Sequence, residues 1–417
     1  MKQYDNYKNS GVEWLGEIPE HWEVKRFKHI TNIQKGKLPK KIVSINELNL
    51  PPYMSMEYLR GGEENQWVFD KDAKIIDENK TLLLWDGSNA GEFIKSRKGV
   101  ISSTVAEIEF KNIEENFAWF YSKFLEIELR KKTIGMGIPH VNGAELKNFS
   151  VVIPPKEEQT AIANFLDNKT TKIDQAIAIK QQQIALLQER RQILIHKAVT
   201  RGLNENVKLK DSGVEWIGEI PEHWEVKRAK YLFDEINERS LTGDEELLSV
   251  SHMTGVTPRS EKNVSMFEAE DYTGSKLCKK GDLVYNIMWA WMGALGTSKQ
   301  TGIVSPSYAI FRQKNKDNFN SWYLEQILKG INYLAHYNRV STGLHSSRLR
   351  FYSNMFFEMS IAFPTKKEQD NIVEHLELVT TKIATAISLK EQEIEKLKEY
   401  KMSLIDGVVT GKVRVIS

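Results

Sequence analysis

Lysine and arginine, interleaved with serine, asparagine and histidine, recur in this chain around glycine-containing loops. That mixture suits duplex DNA: phosphate oxygens take cations and hydroxyls, and base edges take amides and guanidinium groups. Lys35, Lys37, Lys40 and Lys41 form one cluster, and Lys95, Arg97 and Lys98 another. Ser88 and Asn89 lie in TLLLWDGSNAG (81–91), and His140 and Asn142 in GMGIPHVNGAELK (135–147). The second half places Asn286, Trp289 and Trp291 in DLVYNIMWAWMG (282–293). Its glycine loop STGLHSSRLR (341–350) carries His345, Ser346, Ser347, Arg348 and Arg350, with Arg339 just ahead. Any one cluster alone is also the composition of a solvated loop. Recurrence around matching loops in both halves is what favours DNA binding. Trp289 and Trp291 alternate onto one side of a strand end, which leaves core packing and an exposed pair beside bases both open.

Catalysis finds no such support. Asn49-Leu50-Pro51-Pro52-Tyr53 approaches the Asn-Pro-Pro-Tyr tetrapeptide of adenine methyltransferases. However, Leu50 stands directly before the prolines and cannot hydrogen-bond an adenine amino group. No strand–GxGxxG–helix fingerprint accompanies it to hold S-adenosylmethionine. Asp72-Ala73-Lys74 has the D-x-K pattern of some nucleases without an upstream carboxylate partner, and Gly407-VVT-Gly411-Lys412 is one residue short of a phosphate loop. His21 and His223 occupy the same place in a repeated block and read as structural hydrogen-bonding groups. Cys278 is the only cysteine, so an internal disulfide or multi-cysteine zinc site is excluded. The expectation is a chain with no catalytic residue, no metal and no cofactor of its own.

The elements that position these loops come in duplicate. Residues 10–26, SGVEWLGEIPEHWEVKR, return at 212–228 with one change, Leu15 to Ile217. A second repeat is clearer in spacing than in identity. From Pro155 the apolar positions are Ile162, Leu166, Ile173, Ile177, Ile184, Leu187, Leu194 and Ala198; from Thr365 they are Ile372, Leu376, Ile383, Ile387, Ile394, Leu397, Leu404 and Val408. Both sets step by 4, 7, 4, 7, 3, 7 and 4, which puts each on one helical face with the narrow seam of a coiled coil. Glu157 and Glu158 fit the first turn of one helix, and Thr365 with Glu368 fits a capping box on the other. Gly202 and Gly411 stand where C-terminal caps belong. The spacing predicts two helices of about 64 Å at about 1.5 Å per residue, packed antiparallel along the matched stripes. The halves also look circularly arranged, with the C-terminal KVRVIS expected as a strand beside residues 8–14.

Between the repeats, 27–153 and 229–362 share position but little sequence. Both read as α+β, with helical segments at roughly 114–131 and 319–336. The expected order is therefore an N-terminal segment 1–26, a globular domain 27–153, a helix 154–203, a repeated segment 204–228, a second globular domain 229–362, and a helix with tail 363–417. A chain of 417 residues favours two or three domains, and 41% apolar with 27% charged residues favours globular ones. No apolar run approaches the ~18–20 residues of a spanning helix, and the polar start MKQYDNYKNSG does not resemble a signal peptide. With a single cysteine, the reducing cytoplasm is the expected location. A net charge of +2 means that any DNA-binding charge has to be concentrated locally.

The two GVEW(L/I)GEIPEHWEVKR blocks, the Pro-x-Lys-x-Glu-Gln segments at 154–159 and 364–369, and the paired long helices together resemble the specificity subunit of type I restriction-modification enzymes. The resemblance covers essentially the whole chain, although no short tandem repeat interrupts the helices as in some members. It implies two target recognition domains, each reading one half of a bipartite DNA site, with antiparallel helices setting the unread gap. It also implies two methyltransferase subunits and ATP-dependent restriction subunits as partners, which would carry S-adenosylmethionine, ATP and Mg²⁺. A related system without a separate restriction subunit fits the same residues. Polar outward faces such as Lys180–Gln183 and Glu189–Arg191 would be either solvated or partner-facing.

Overall fold

A computed structural model describes residues 2–46, 48–135, 137–262, 271–343 and 349–415 of the chain. It divides into two compact units, Met1–Gln181 with Glu391–Ser417, and Gln182–Lys390. Each is built from strands and helices around its own core, and two long helices, Lys156–Arg201 and Lys366–Val409, contribute to both. No helix among the described residues is long and apolar enough to cross a membrane.

In unit 1 the central sheet is antiparallel, in the order Thr31–Lys35, Val105–Phe110, Thr81–Leu84, Phe93–Lys95. Thr81–Leu84 is buried along its whole length, which explains its unbroken apolar run. Helix Glu115–Lys131 buries Phe117, Tyr121, Phe124 and Leu125 in the same core. Unit 2 repeats this order with Phe233–Glu235, Tyr308–Gln313, Leu283–Asn286 and Leu295–Thr297. Its helical segment is not continuous as the sequence suggested. It is split into Ser321–Leu328 and Ile331–Val340, with Gly330 extended between them as the cap of the second. A Cβ at Gly330 would stand 2.9 Å from the Ile327 carbonyl oxygen, so the break suits glycine.

The near-identical blocks and the helix starts explain each other. In unit 1, Glu158 in the first turn of the long helix accepts from Trp22 Nε1 at 3.1 Å and from the Tyr4 hydroxyl at 3.0 Å, with His21 Nε2 at 2.5 Å. In unit 2, Glu368 accepts from Trp224 Nε1 at 3.2 Å and pairs with His223 Nε2 at 2.8 Å. His21 and His223 thus have the hydrogen-bonding role read from the sequence. The next residue ties the helix to the globular part. Gln159 Oε1 accepts from Glu114 N, and Gln369 Oε1 from Asn320 N; Glu114 and Asn320 each cap a domain helix. Glu368 N lies 3.4 Å from Thr365 Oγ1, but the Glu368 carboxylate is spent on the tryptophan and histidine, so the capping box is only half made.

Within each unit the helical segments run antiparallel. In unit 1, Asp174 accepts from Lys401 at 2.7 Å and Lys180 meets Glu393; in unit 2, Lys390 donates to Gln183 at 2.6 Å. Unit 1 fully buries Ile162 and Leu166, buries Ile173, Ile394 and Leu404, and half-buries Ile177 and Leu397. Unit 2 buries Ile372, Leu376 and Ile383 and half-buries Ile184, Leu187, Leu194 and Ile387. There Ile195 is buried more deeply than its neighbour Leu194.

The C-terminal tail corrects one expectation. Arg414 N donates to Lys2 O at 2.9 Å and the Tyr7 hydroxyl to Gly411 O at 3.2 Å, so the tail lies along residues 2–7 and not 8–14. Tyr7–Asn9 pairs instead with Glu17–Pro19 within the repeated block. The last two tail residues lie outside the described ones.

Gly202 and Gly411 end the long helices in the left-handed region, at φ +74° and +78°. A Cβ at Gly411 would fall 2.3 Å from Pro19 Cδ, whereas at Gly202 the nearest atoms would be Glu368 Oε1 at 3.1 Å and Trp224 Cζ2 at 3.8 Å. Gly202→Ala should therefore cost about 1–2 kcal/mol of backbone strain, and Gly411→Ala distinctly more. Thermal melting of both variants checks the difference, and equal losses would remove the role assigned to the Pro19 contact.

Candidate nucleic-acid interface

Each unit builds one edge from two loops held together by main-chain bonds. In unit 1 the strand Thr81–Leu84 runs into a turn that returns as Phe93–Lys95. A glycine loop is closed beside it where Ile134 and His140 exchange both backbone bonds, at 3.0 and 2.8 Å. Val141 N donates to Trp85 O at 2.8 Å, and Gly87 N to Pro139 O at 2.9 Å. Unit 2 uses the same construction with other residues. Thr342 and Arg350 close the glycine loop at 3.1 and 2.8 Å, and Phe351 N donates to Ile287 O at 2.9 Å, just past the strand Leu283–Asn286. These bonds bring Ser88, Asn89 and His140 to one edge of unit 1, and Trp289 and Arg350 to one edge of unit 2.

The chemistry of the two edges differs. In unit 1, Ser88 is exposed and Asn89 and His140 are half-exposed. Lys35 reaches the edge from the neighbouring strand, 3.5 Å from Asp86 Oδ2 and 4.9 Å above the Trp85 ring. Asp86, bridged to His140, is a member of this edge that sequence reasoning missed. Lys37, Lys41 and Lys98 are exposed, with no ion pair shown to an acidic group of the described residues. Lys40 is held by Asp72 at 2.6 Å, a hydrogen bond that raises its pKa. Lys35, Lys37 and Lys40 line a cleft of about 560 Å³ whose other wall carries Asp70, Asp72 and Lys74. Lys74, of the D-x-K triplet, bonds to Gln34 and Glu107. Among the described residues no group of three His, Cys, Asp or Glu is placed to hold a metal ion.

Several residues expected at the DNA build the protein itself. Arg97 lies 4.0 Å over the Tyr58 ring and donates to Gly62 O at 2.7 Å and Tyr58 O. Lys95 is turned under Trp119 and donates to Asn79 O, and burial lowers its pKa. Asn142 caps the helix Gly143–Asn148 by accepting from Ala144 N and Glu145 N. Asn286 is buried, with Oδ1 accepting from Met288 N at 3.0 Å. A short polar side chain in a turn readily satisfies the backbone around it, and here the Oδ1 of each asparagine is used that way. Arg339 is exposed on its helix, 3.5 Å from His336. His345, Ser346, Ser347 and Arg348 lie outside the described residues.

The tryptophan pair splits between its two open readings. Both residues sit on a 3₁₀ turn at Ala290–Met292, not on a strand, with rings stacked at 6.1 Å and 24°. Trp291 packs on the core and donates Nε1 to Met288 O at 2.9 Å, while Trp289 stays 46% exposed.

Comparison with known proteins agrees with this architecture. Residues 19–189 match the Type I restriction modification DNA specificity domain. The chain is 31% identical over 418 residues to the type I restriction enzyme MjaVIII specificity subunit of Methanocaldococcus jannaschii, covering 95% of this chain and 94% of that one. It is 24% identical to the putative type I restriction enzyme MjaX specificity subunit of the same organism, covering 99% and 97%. A solved chain from a study of complex assembly and conformational transition of the type I R-M system shares the fold at TM-score 0.66 and 14% identity, covering 95% of this chain and 99% of that one. The HsdS subunit of Thermoanaerobacter tengcongensis does so at 0.51 and 15%, covering 95% and 98%. With a whole-length relative at this identity, the chain belongs to the family of type I restriction enzyme specificity subunits.

Proposed function

We propose that this chain is the DNA-reading, non-catalytic subunit of a type I restriction-modification system. Residues 27–153 and 229–362 act as target recognition domains, each taking one half of a bipartite site. The observation that carries this reading is the two-loop edge: in both units a closed glycine loop is tied by a main-chain bond to the residue just past the equivalent strand, and the side chains it carries are unlike. A shared scaffold with divergent loops is how one architecture reads two different sequences. Two methyltransferase subunits and restriction subunits dock on the chain; methyl transfer and cleavage, with S-adenosylmethionine, ATP and Mg²⁺, belong to those partners. The cytoplasm, where the DNA is, is the proposed location.

The test is duplex retardation by the chain assembled with its methyltransferase subunits, together with a methyl-transfer assay on the chain alone. Sequence-specific retardation and no turnover are expected; methyl transfer by the isolated chain would sink the non-catalytic assignment. Within that assay Arg350→Ala is informative. If Arg350 binds a phosphate, the change should weaken all duplexes alike and lower the salt slope by about 0.9. If it binds a base edge, the change should cost about 1–3 kcal/mol and relax choice at one base pair. Unchanged binding would remove this residue from the interface.

A further inference from the structure

The edge of unit 2 carries an apolar group where unit 1 carries Asp86, Ser88 and Asn89. A single exposed apolar side chain is ordinary on a protein surface. Trp289 stands out by its position and by the way it is held. It projects from the turn tied to the base of the Arg350 loop, with exposed Met292 on the same turn. Its ring is backed by Trp291, which is fixed at both ends: Nε1 donates to Met288 O, and its carbonyl accepts from Asn338 Nδ2 at 3.1 Å. Gly293, at φ +85°, closes the turn beneath them. An indole held this way loses little conformational freedom when a partner covers it.

Groove dimensions decide which part of DNA such a group meets. Trp291 packs on the core, so Trp289 is presented by an edge two chain segments wide, the turn and the base of the Arg350 loop joined by Phe351 N to Ile287 O, which is too broad for a minor groove about 6 Å across. The major groove, at about 12 Å, admits it. Among the four bases the only apolar group on the major-groove edge is the 5-methyl of thymine. We propose that Trp289 reads a thymine 5-methyl group in the major groove of the half-site taken by unit 2. This rests on the DNA-binding reading above, and adds to it the chemistry of one contact.

The experiment uses the full chain assembled with its methyltransferase subunits, and duplexes carrying the methylated motif. The unit 2 half-site is the half that changes when residues 229–362 are exchanged for those of a relative. Each thymine in it is replaced singly by deoxyuridine, which deletes only the methyl group. One replacement should weaken binding roughly fourfold, the fold-change equivalent to burying one methyl-sized group. Trp289→Ala should bind the thymine duplex more weakly and be insensitive to that replacement, while Trp289→Phe should retain part of the sensitivity. A half-site without thymine, or Trp289→Ala and Trp289→Phe variants as sensitive as the parent, would overturn the assignment and leave the DNA-binding reading intact. Absence of any sequence-specific binding by the parent complex would overturn both.

Discussion

Trp22→Ala should remove about 3–5 kcal/mol from the stability of unit 1, the usual cost of deleting a fully buried aromatic side chain. Trp22 is 0% exposed and joins the core that also holds Ile162, Leu166, Val408 and Val409. Its indole N–H is one of the donors fixing Glu158 at the start of the long helix, so the change opens a cavity and loosens the helix seat together. A loss of this size is a large share of the ~5–15 kcal/mol that holds an ordinary domain folded. Trp22→Phe keeps one aromatic ring but loses the N–H and part of the buried volume, and should cost less, about 1–3 kcal/mol. Because two units make a single transition unsafe to assume, the suitable readout is hydrogen exchange. Protection should fall across 156–181 while the unit 2 sheet is unaffected. Trp224→Ala should produce the mirror result in unit 2, through Glu368. Undiminished protection in 156–181 for Trp22→Ala would show that the repeated block does not seat the helix.

The second large effect concerns association. A fragment of residues 1–203 keeps the first globular domain and the whole first long helix, but loses 391–417, which unit 1 uses to complete its core. Left alone, it would expose the stripe running from Ile162 to Ile173. The fragment nevertheless carries a replacement. Ile195, Ala198 and Val199 do in unit 2 what Ile405, Val408 and Val409 do in unit 1, packing beside Trp224 and Trp22 respectively. A second copy should supply that segment, so the fragment should be a dimer by sedimentation, and with methyltransferase should recognise a symmetric site. A stable monomer at micromolar concentration would contradict the equivalence of the two stripes.

The frame was readable from the sequence because its signals are periodic or literal. One conservative change in the repeated block and matched apolar steps left few other ways to bury the stripes. The partners of individual side chains were not readable. The Glu158–Trp22 and Glu368–Trp224 bonds span more than a hundred residues and follow from no local pattern. Among the candidate DNA-binding residues, composition could mark the loops but not the direction of each side chain. Lys95 and Arg97 fold inward onto Trp119 and Tyr58, while Lys98 beside them faces solvent. Asn142 and Asn286 each give their Oδ1 to the backbone they help to turn. The tail's place was not readable because it is set by main-chain and hydroxyl contacts with Lys2 and Tyr7 at the other end of the chain, which follow from no local pattern.

The most direct measurement is methylome sequencing of a host carrying this chain and its methyltransferase, before and after residues 229–362 are exchanged for those of a relative. The expected result is a two-part motif with a constant unread gap, in which the exchange alters one half and leaves the other half unchanged. A contiguous motif, or an exchange that changes both halves at once, would contradict two independent readers on one frame.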